Sequence, residues 1–134
     1  MYNLTSIAIG GAIGTLFRYN LNAKVLFSNL PNATLIENLL GSFLLGCFAG
    51  WLFHNVISEW LQLGLSVGLL GGFTTMSTFA ADTFSLYTAH SAPDALIYMS
   101  ASLFGGIFMA FIGFSIGNKF GIITGRRKWE DSIN

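Results

Sequence analysis

The chain has 134 residues; 53% are hydrophobic, 15% are aromatic and only 9% are charged. A water-soluble domain carries about 25% charged residues, so the composition excludes an ordinary soluble fold and indicates a membrane protein. Six basic and six acidic residues balance to zero net charge, which argues against a nucleic-acid surface, and the single cysteine, Cys47, has no intrachain disulfide partner.

A bilayer-crossing helix needs about 20 mostly apolar residues, and four segments meet that requirement. The first spans about 4–27, apolar to Phe17 and then dotted with Arg18, Asn20, Asn22 and Lys24. No basic residue precedes Arg18, so the start lacks the n-region of a cleaved signal peptide and reads as mature sequence. The second spans about 34–53, after the loop "SNLPNA", and the third about 59–87. The fourth spans about 95–123, after "HSAPD", where Pro93 and Asp94 suit a helix start. Residues 124–134, ending in "GRRKWEDSIN", form a polar tail at the headgroup level. Short loops leave a single domain over 1–134: an all-α integral membrane protein of four transmembrane helices.

Four helices enclose little space, so an oligomer is expected. Gly64, Gly68 and Gly72 recur every four residues, as do Gly113, Gly117, Gly121 and Gly125. Such stripes let backbones approach closely, either within one subunit or between two. An even number of spans puts both termini on one side, with Lys119, Arg126, Arg127 and Lys128. The other side collects Arg18 and Lys24. The excess of basic residues points to cytoplasmic termini, a bias that rests on the tail.

Polar residues inside spans are functional candidates. Thr34 and Asn38 are four apart on the second span, hence on one face, with Glu37 rotated away from them. Ser77, Thr78 and Thr83 place hydroxyls around Phe79 on the third, and Tyr98 and Ser102 are four apart on the fourth. Each alone could tie helices together. As a set they offer hydroxyl and amide donors without a basic residue. An anion leaving water needs donors, yet a fixed cation would hold it too tightly for conduction. Ring edges carry partial positive charge, which makes Phe79 a ligand as well as packing. In "GLLGGFTTMSTFAADT" (68–83), adjacent glycines and threonines weaken the helix. A break there frees carbonyls at membrane depth, tolerated where they bind a cation or line a cavity.

The blocks "GGAIGTLFRY" (10–19), "TLIENLLGSFLLG" (34–46), "GLLGGFTTMSTF" (68–79) and "YMSASLFGG" (98–106) fall one per span. In that order they resemble the Fluc (CrcB) fluoride channels, with "GGxTTxSTF" the most specific. The resemblance implies an antiparallel, dual-topology homodimer with two pathways, passively exporting fluoride across the bacterial plasma membrane and relieving fluoride toxicity. It implies a fluoride pathway of Thr34, Asn38, Met76, Ser77, Thr78, Phe79, Tyr98 and Ser102, with Arg18 at the vestibule. It also implies a structural sodium ion, not transported, held at the dimer centre by backbone carbonyls of the broken third helix at Gly71 and Thr74.

Three positions depart from the family pattern. Met76 stands where a phenylalanine is expected and offers a thioether instead of a ring edge. Gly106 stands where a second pathway serine is expected. Glu37 precedes Asn38, and an ionised carboxylate beside an anion path would repel fluoride; it is expected to face the aqueous mouth or to be protonated. Two alternatives stand beside the homodimeric channel. One is a non-conducting subunit of a heterodimeric fluoride channel, raised by Met76 and Gly106. The other is a small proton-coupled multidrug-type exporter, which normally has an acid in its first span, where this chain has none. An enzyme is not expected: Ser77, Asp82 and His90 carry no nucleophile signature. His54 and His90 read as interfacial side chains, no paired His or Cys spacing marks zinc, and "GGAIG" follows no strand that would make it a phosphate loop.

Overall fold

The structure is a computed structural model that describes residues 1–26 and 33–131. The loop after the first helix, at 27–32, and the last residues, 132–134, lie outside the described residues, as do the side chains of 24–26 and 126–131. All regular elements among the described residues are helical. Helix α1 covers Tyr2–Leu26, α2 Ala33–Leu52, α3 Glu59–Leu63, α4 Gly71–Phe73, α5 Met76–Ala89 and α6 Ala92–Asp131. A π-helical stretch, Gly64–Leu70, joins α3 to α4.

Among the described residues, three stretches are long and apolar enough to cross a membrane: Ala33–Leu52, the run Glu59–Ala89, and Ala92–Gly125. The chain is therefore a multi-pass membrane protein. Helix α1 has the length, with 25 residues, but its second half carries the polar positions from Arg18 onward. Helix α6 continues past the fourth span and runs helical through most of the polar tail, to Asp131. Nothing between Thr124 and Asp131 breaks a helix except Gly125, and a single glycine costs only about 1 kcal/mol.

Glycines determine which helices meet. A Cβ at Gly113 would overlap the Phe43 carbonyl, and one at Gly117 the Cys47 carbonyl. At Gly121 it would lie 3.0 Å from the Trp51 carbonyl oxygen. The fourth-span stripe is thus consumed within the chain, seating α6 on the backbone of α2, and Gly46 and Gly50 reciprocate against Ala110 and Phe114. The other stripe seats the third run on α1. A Cβ at Gly68 would lie 2.8 Å from the Ile7 carbonyl oxygen and one at Gly72 2.6 Å from that of Gly11. Without a hydrophobic drive inside lipid, such backbone approach is what holds helices together. Most large apolar side chains, Phe104, Phe108 and Phe111 among them, are left exposed on the outer surface, as a lipid solvent allows.

Candidate functional site

The third run changes hydrogen-bond pattern and then stops. In the π-helical stretch the Gly71 N–H reaches back to the Ser66 carbonyl, five residues away; π turns of this kind concentrate at functional sites. Helix α4 ends at Phe73. Thr74 (φ −79°, ψ 158°) and Thr75 (φ −146°, ψ 127°) are extended, and α5 starts at Met76 with Thr75 as its N-cap.

Asn38 of α2 holds that extended pair. Its Oδ1 accepts from the Thr75 N–H at 2.9 Å and its Nδ2 donates to the Thr75 carbonyl at 3.0 Å. The side-chain amide thus pairs with backbone as a strand neighbour would, and Gly41 lets Thr74 approach α2, since a Cβ there would overlap its methyl group. The Thr75 hydroxyl then accepts from the Thr78 N–H at 3.2 Å and donates to the Thr78 hydroxyl at 3.1 Å, with the Ser77 hydroxyl 3.3 Å away.

This rearrangement releases two carbonyls. In a continuous helix the Thr75 N–H would close on Gly71 and the Thr78 N–H on Thr74; those amides go instead to Asn38 and to the Thr75 hydroxyl. Among the described residues, the Gly71 carbonyl keeps a long side-chain contact, from the Thr74 hydroxyl at 3.4 Å. Both residues line a cleft of about 310 Å³ together with Asn38, Ser42, Ser66 and Met76.

A second cleft, of about 430 Å³, lies across Asn38 and is lined by Ser42, Met76, Phe79, Ser102 and Gly106 among others. Of the pathway residues expected from sequence, Asn38, Met76, Phe79 and Ser102 meet here. Asn38 has spent one of its two amide protons on Thr75, so one remains. Met76 is 75% exposed on the chain's outer surface.

Thr34 and Tyr98 are buried a turn away. The Tyr98 ring stacks on Phe79 with centroids 5.5 Å apart. Its hydroxyl donates to Asp82 Oδ2 at 3.2 Å, with Thr34 also within its reach. Ser77 and Thr78 belong to the Thr75 hydroxyl cluster instead. Arg18 lines neither cleft and acts electrostatically on Glu37.

Glu37 departs from the expectation that it faces an aqueous mouth. Its side chain is 0% exposed. One oxygen accepts from Asn22 Nδ2 at 2.6 Å, the other has no partner among the described residues, and Arg18 and Asp82 are the charged groups around it. Sequence reasoning missed Asn22, Asp82, Ser42 and Thr75 as members of these networks. Two carried a readable signal: Ser42 is one turn beyond Asn38, and Thr75 precedes Thr78 at N-cap spacing.

Helices with polar clefts opening at a helix interruption define a class: a small multi-pass membrane protein with uncharged hydrogen-bonding groups at membrane depth. Comparison with known proteins narrows it. The profile of the family described as CrcB-like protein, Camphor Resistance (CrcB), matches residues 5–114, and the chain belongs to that family. It is 53% identical over 127 residues to the "Fluoride-specific ion channel FluC 2" of Halalkalibacterium halodurans, covering 95% of this chain and 92% of that one. The "Fluoride-specific ion channel FluC" of Thermus thermophilus is 42% identical over 114 residues, covering 83% of this chain and 91% of its own. The "Fluoride-specific ion channel FluC 2" of Bacillus subtilis is 39% identical over 127 residues, covering 95% and 96%. All three carry the name of an ion channel, none that of an enzyme.

Proposed function

We propose that this protein is a fluoride-selective channel through which fluoride leaves the cell passively, down its electrochemical gradient, across the plasma membrane. The observation that carries the reading is the second cleft. There an amide N–H from α2, a ring from α5 and a hydroxyl from α6 converge with no basic side chain among them. Fluoride entering the cleft exchanges water for the free Asn38 N–H, the Ser102 hydroxyl and the Phe79 edge. Each is strong enough to replace a water and weak enough to release the ion. Phe79 is held in orientation by its stack on Tyr98, whose hydroxyl is fixed by Asp82 and flanked by Thr34. The Ser77 and Thr78 hydroxyls extend the donor track along α5, and Arg18 raises the local anion concentration at the vestibule.

The working assembly in this reading is four spans per chain, α1 included, in an antiparallel dual-topology homodimer. The backbone carbonyls of Gly71 and Thr74 would hold a sodium ion between the copies. Released carbonyl oxygens on an exposed surface suit a hard monovalent cation, as at other interrupted membrane helices. A bound sodium ion supplies fixed positive charge beside an anion route.

The deciding experiment is fluoride efflux from liposomes holding the purified full-length chain, with Asn38→Asp as control. Efflux by the wild type, lost in the variant while the dimer persists, supports the reading. Equal fluoride and chloride flux overturns its selectivity. Silence of the pure chain, rescued by a second unlike chain, assigns it to a heterodimer.

A further inference from the structure

We propose that the Ser42 hydroxyl is a further donor to the conducted anion, standing in for a side chain that Gly106 lacks; the inference rests on the fluoride reading above. Ser42 sits one turn beyond Asn38 on the same face of α2, and Gly106 sits one turn beyond Ser102 on the same face of α6. These rows face each other across the second cleft. At the Asn38–Ser102 level both helices bring a donor. One turn further on, only α2 does.

Geometry sets the two positions against each other. A Cβ built on Gly106 lies 3.5 Å from Ser42 Oγ, an ordinary contact distance, so the serine oxygen occupies the space a residue-106 side chain would point toward. Ser42 also lines the first cleft, beside Gly71 and Thr74. Its hydroxyl is therefore at the junction of both.

The hydroxyl is also unspent. Serines and threonines in membrane helices usually donate back to the carbonyl one turn earlier. Here Ser66 donates to Gln62, Thr83 to Phe79, Ser115 to Phe111 and Thr124 to Phe120, at 2.7–3.0 Å. Among the described residues Ser42 and Ser102 make no such bond. Ser85 and Ser100 share that freedom, but they are exposed and line neither cleft. A half-buried hydroxyl lining a cleft beside Asn38 and Ser102, with its proton uncommitted, is available to an acceptor that enters.

The test is fluoride efflux from liposomes carrying the full-length chain and four variants: Ser42→Ala, Gly106→Ser, the double variant Ser42→Ala/Gly106→Ser, and Ser115→Ala. Ser42→Ala is expected to slow efflux about tenfold, the loss typical of one hydrogen bond to a charged ligand. The double variant is expected to recover most of it, because the second serine returns a hydroxyl to the same space from the opposite helix. Ser115→Ala, a back-bonded serine that lines neither cleft, is expected to conduct as the wild type does. Wild-type efflux with an unaffected Ser42→Ala overturns the inference and leaves the channel reading standing. A slow Ser42→Ala that the second serine fails to rescue, with thermal stability lowered, assigns Ser42 to packing and also overturns it. Absence of fluoride efflux in the wild type overturns the channel reading itself.

Discussion

Replacing Asn38 by alanine tests its observed task, holding the helix interruption, and its proposed one, meeting the anion. The substitution removes two hydrogen bonds, at 2.9 and 3.0 Å, and strands the Thr75 N–H and carbonyl together. A buried stranded group costs about 1–3 kcal/mol. Asn38 lines two clefts wide enough for water, which can satisfy part of the demand, so the lower bound applies to each group. The expected loss is about 2 kcal/mol, up to a thirtyfold shift in the folded-to-unfolded ratio. Asn38→Asp is the sharper probe: an ionised carboxylate would turn an acceptor toward the Thr75 carbonyl and leave no N–H for the anion. Denaturant unfolding in lipid, followed by tryptophan fluorescence, gives the stability. Liposome efflux gives the conduction. An Asn38→Ala protein within about 0.5 kcal/mol of the wild type and conducting at its rate would refute both roles, since changes of that size are ordinary for inert surface sites.

Tyr98→Phe keeps the ring on Phe79 and removes the hydroxyl that Asp82 accepts. Efflux should slow severalfold with stability falling about 1 kcal/mol, and Tyr98→Leu should be worse because the stack goes too; wild-type efflux in both would remove Tyr98 from the path. Glu37→Gln retains an acceptor for Asn22 and mimics the protonated carboxyl expected beside an anion path, so fluoride efflux near neutral pH should match the wild type. Faster efflux in the variant would mean that the carboxylate is ionised and repels the anion. Gly117→Ala should be destabilised by at least about 1–3 kcal/mol, as for overpacked cores, because the methyl group would overlap the Cys47 carbonyl. Gly11→Ala, whose methyl group would lie 3.9 Å from the Gly68 carbonyl oxygen, should unfold like the wild type in the same denaturant series. Met76→Phe returns a ring to the second cleft and should raise efflux; a fall would mean that the thioether is the better ligand here.

Hydropathy alone made the second, third and fourth membrane-crossing segments legible, because length and apolarity are local properties. The polarity of α1 beyond Phe17 was also visible, but its reason lies elsewhere in the chain: Asn22 is there to meet Glu37 of α2. Four-residue glycine spacing announced close approach without naming the partner. Only the fold decides that Gly117 presses on Cys47 rather than on another subunit. The threonines at 74 and 75 marked an oddity in the third run, whereas their restraint comes from Asn38, 37 residues earlier. Side chains that bond backbone across such separations leave no periodic trace. Ser42 shows the same limit, since its meaning depends on the missing side chain at Gly106.

Asn38 joins the two clefts, which couples their chemistry. By taking the Thr75 N–H it frees the Gly71 carbonyl on one side, and with its remaining proton it faces the donor cleft on the other. A movement of α2 that loosened the clamp would let the Thr75 amide return to Gly71, removing an oxygen from the first cleft while displacing a donor in the second. The backbone contacts at Gly113 and Gly117 oppose that movement, because helices packed on bare carbonyls have no side chains to repack. Rigidity along the α2–α6 seam therefore fixes how far apart Asn38 and Ser102 stand. In the proposed channel that separation would set the size of ion both can reach at once. Widening the seam at Gly113 should therefore erode discrimination between fluoride and chloride before it stops conduction, measurable as a falling fluoride-to-chloride flux ratio in folded variants.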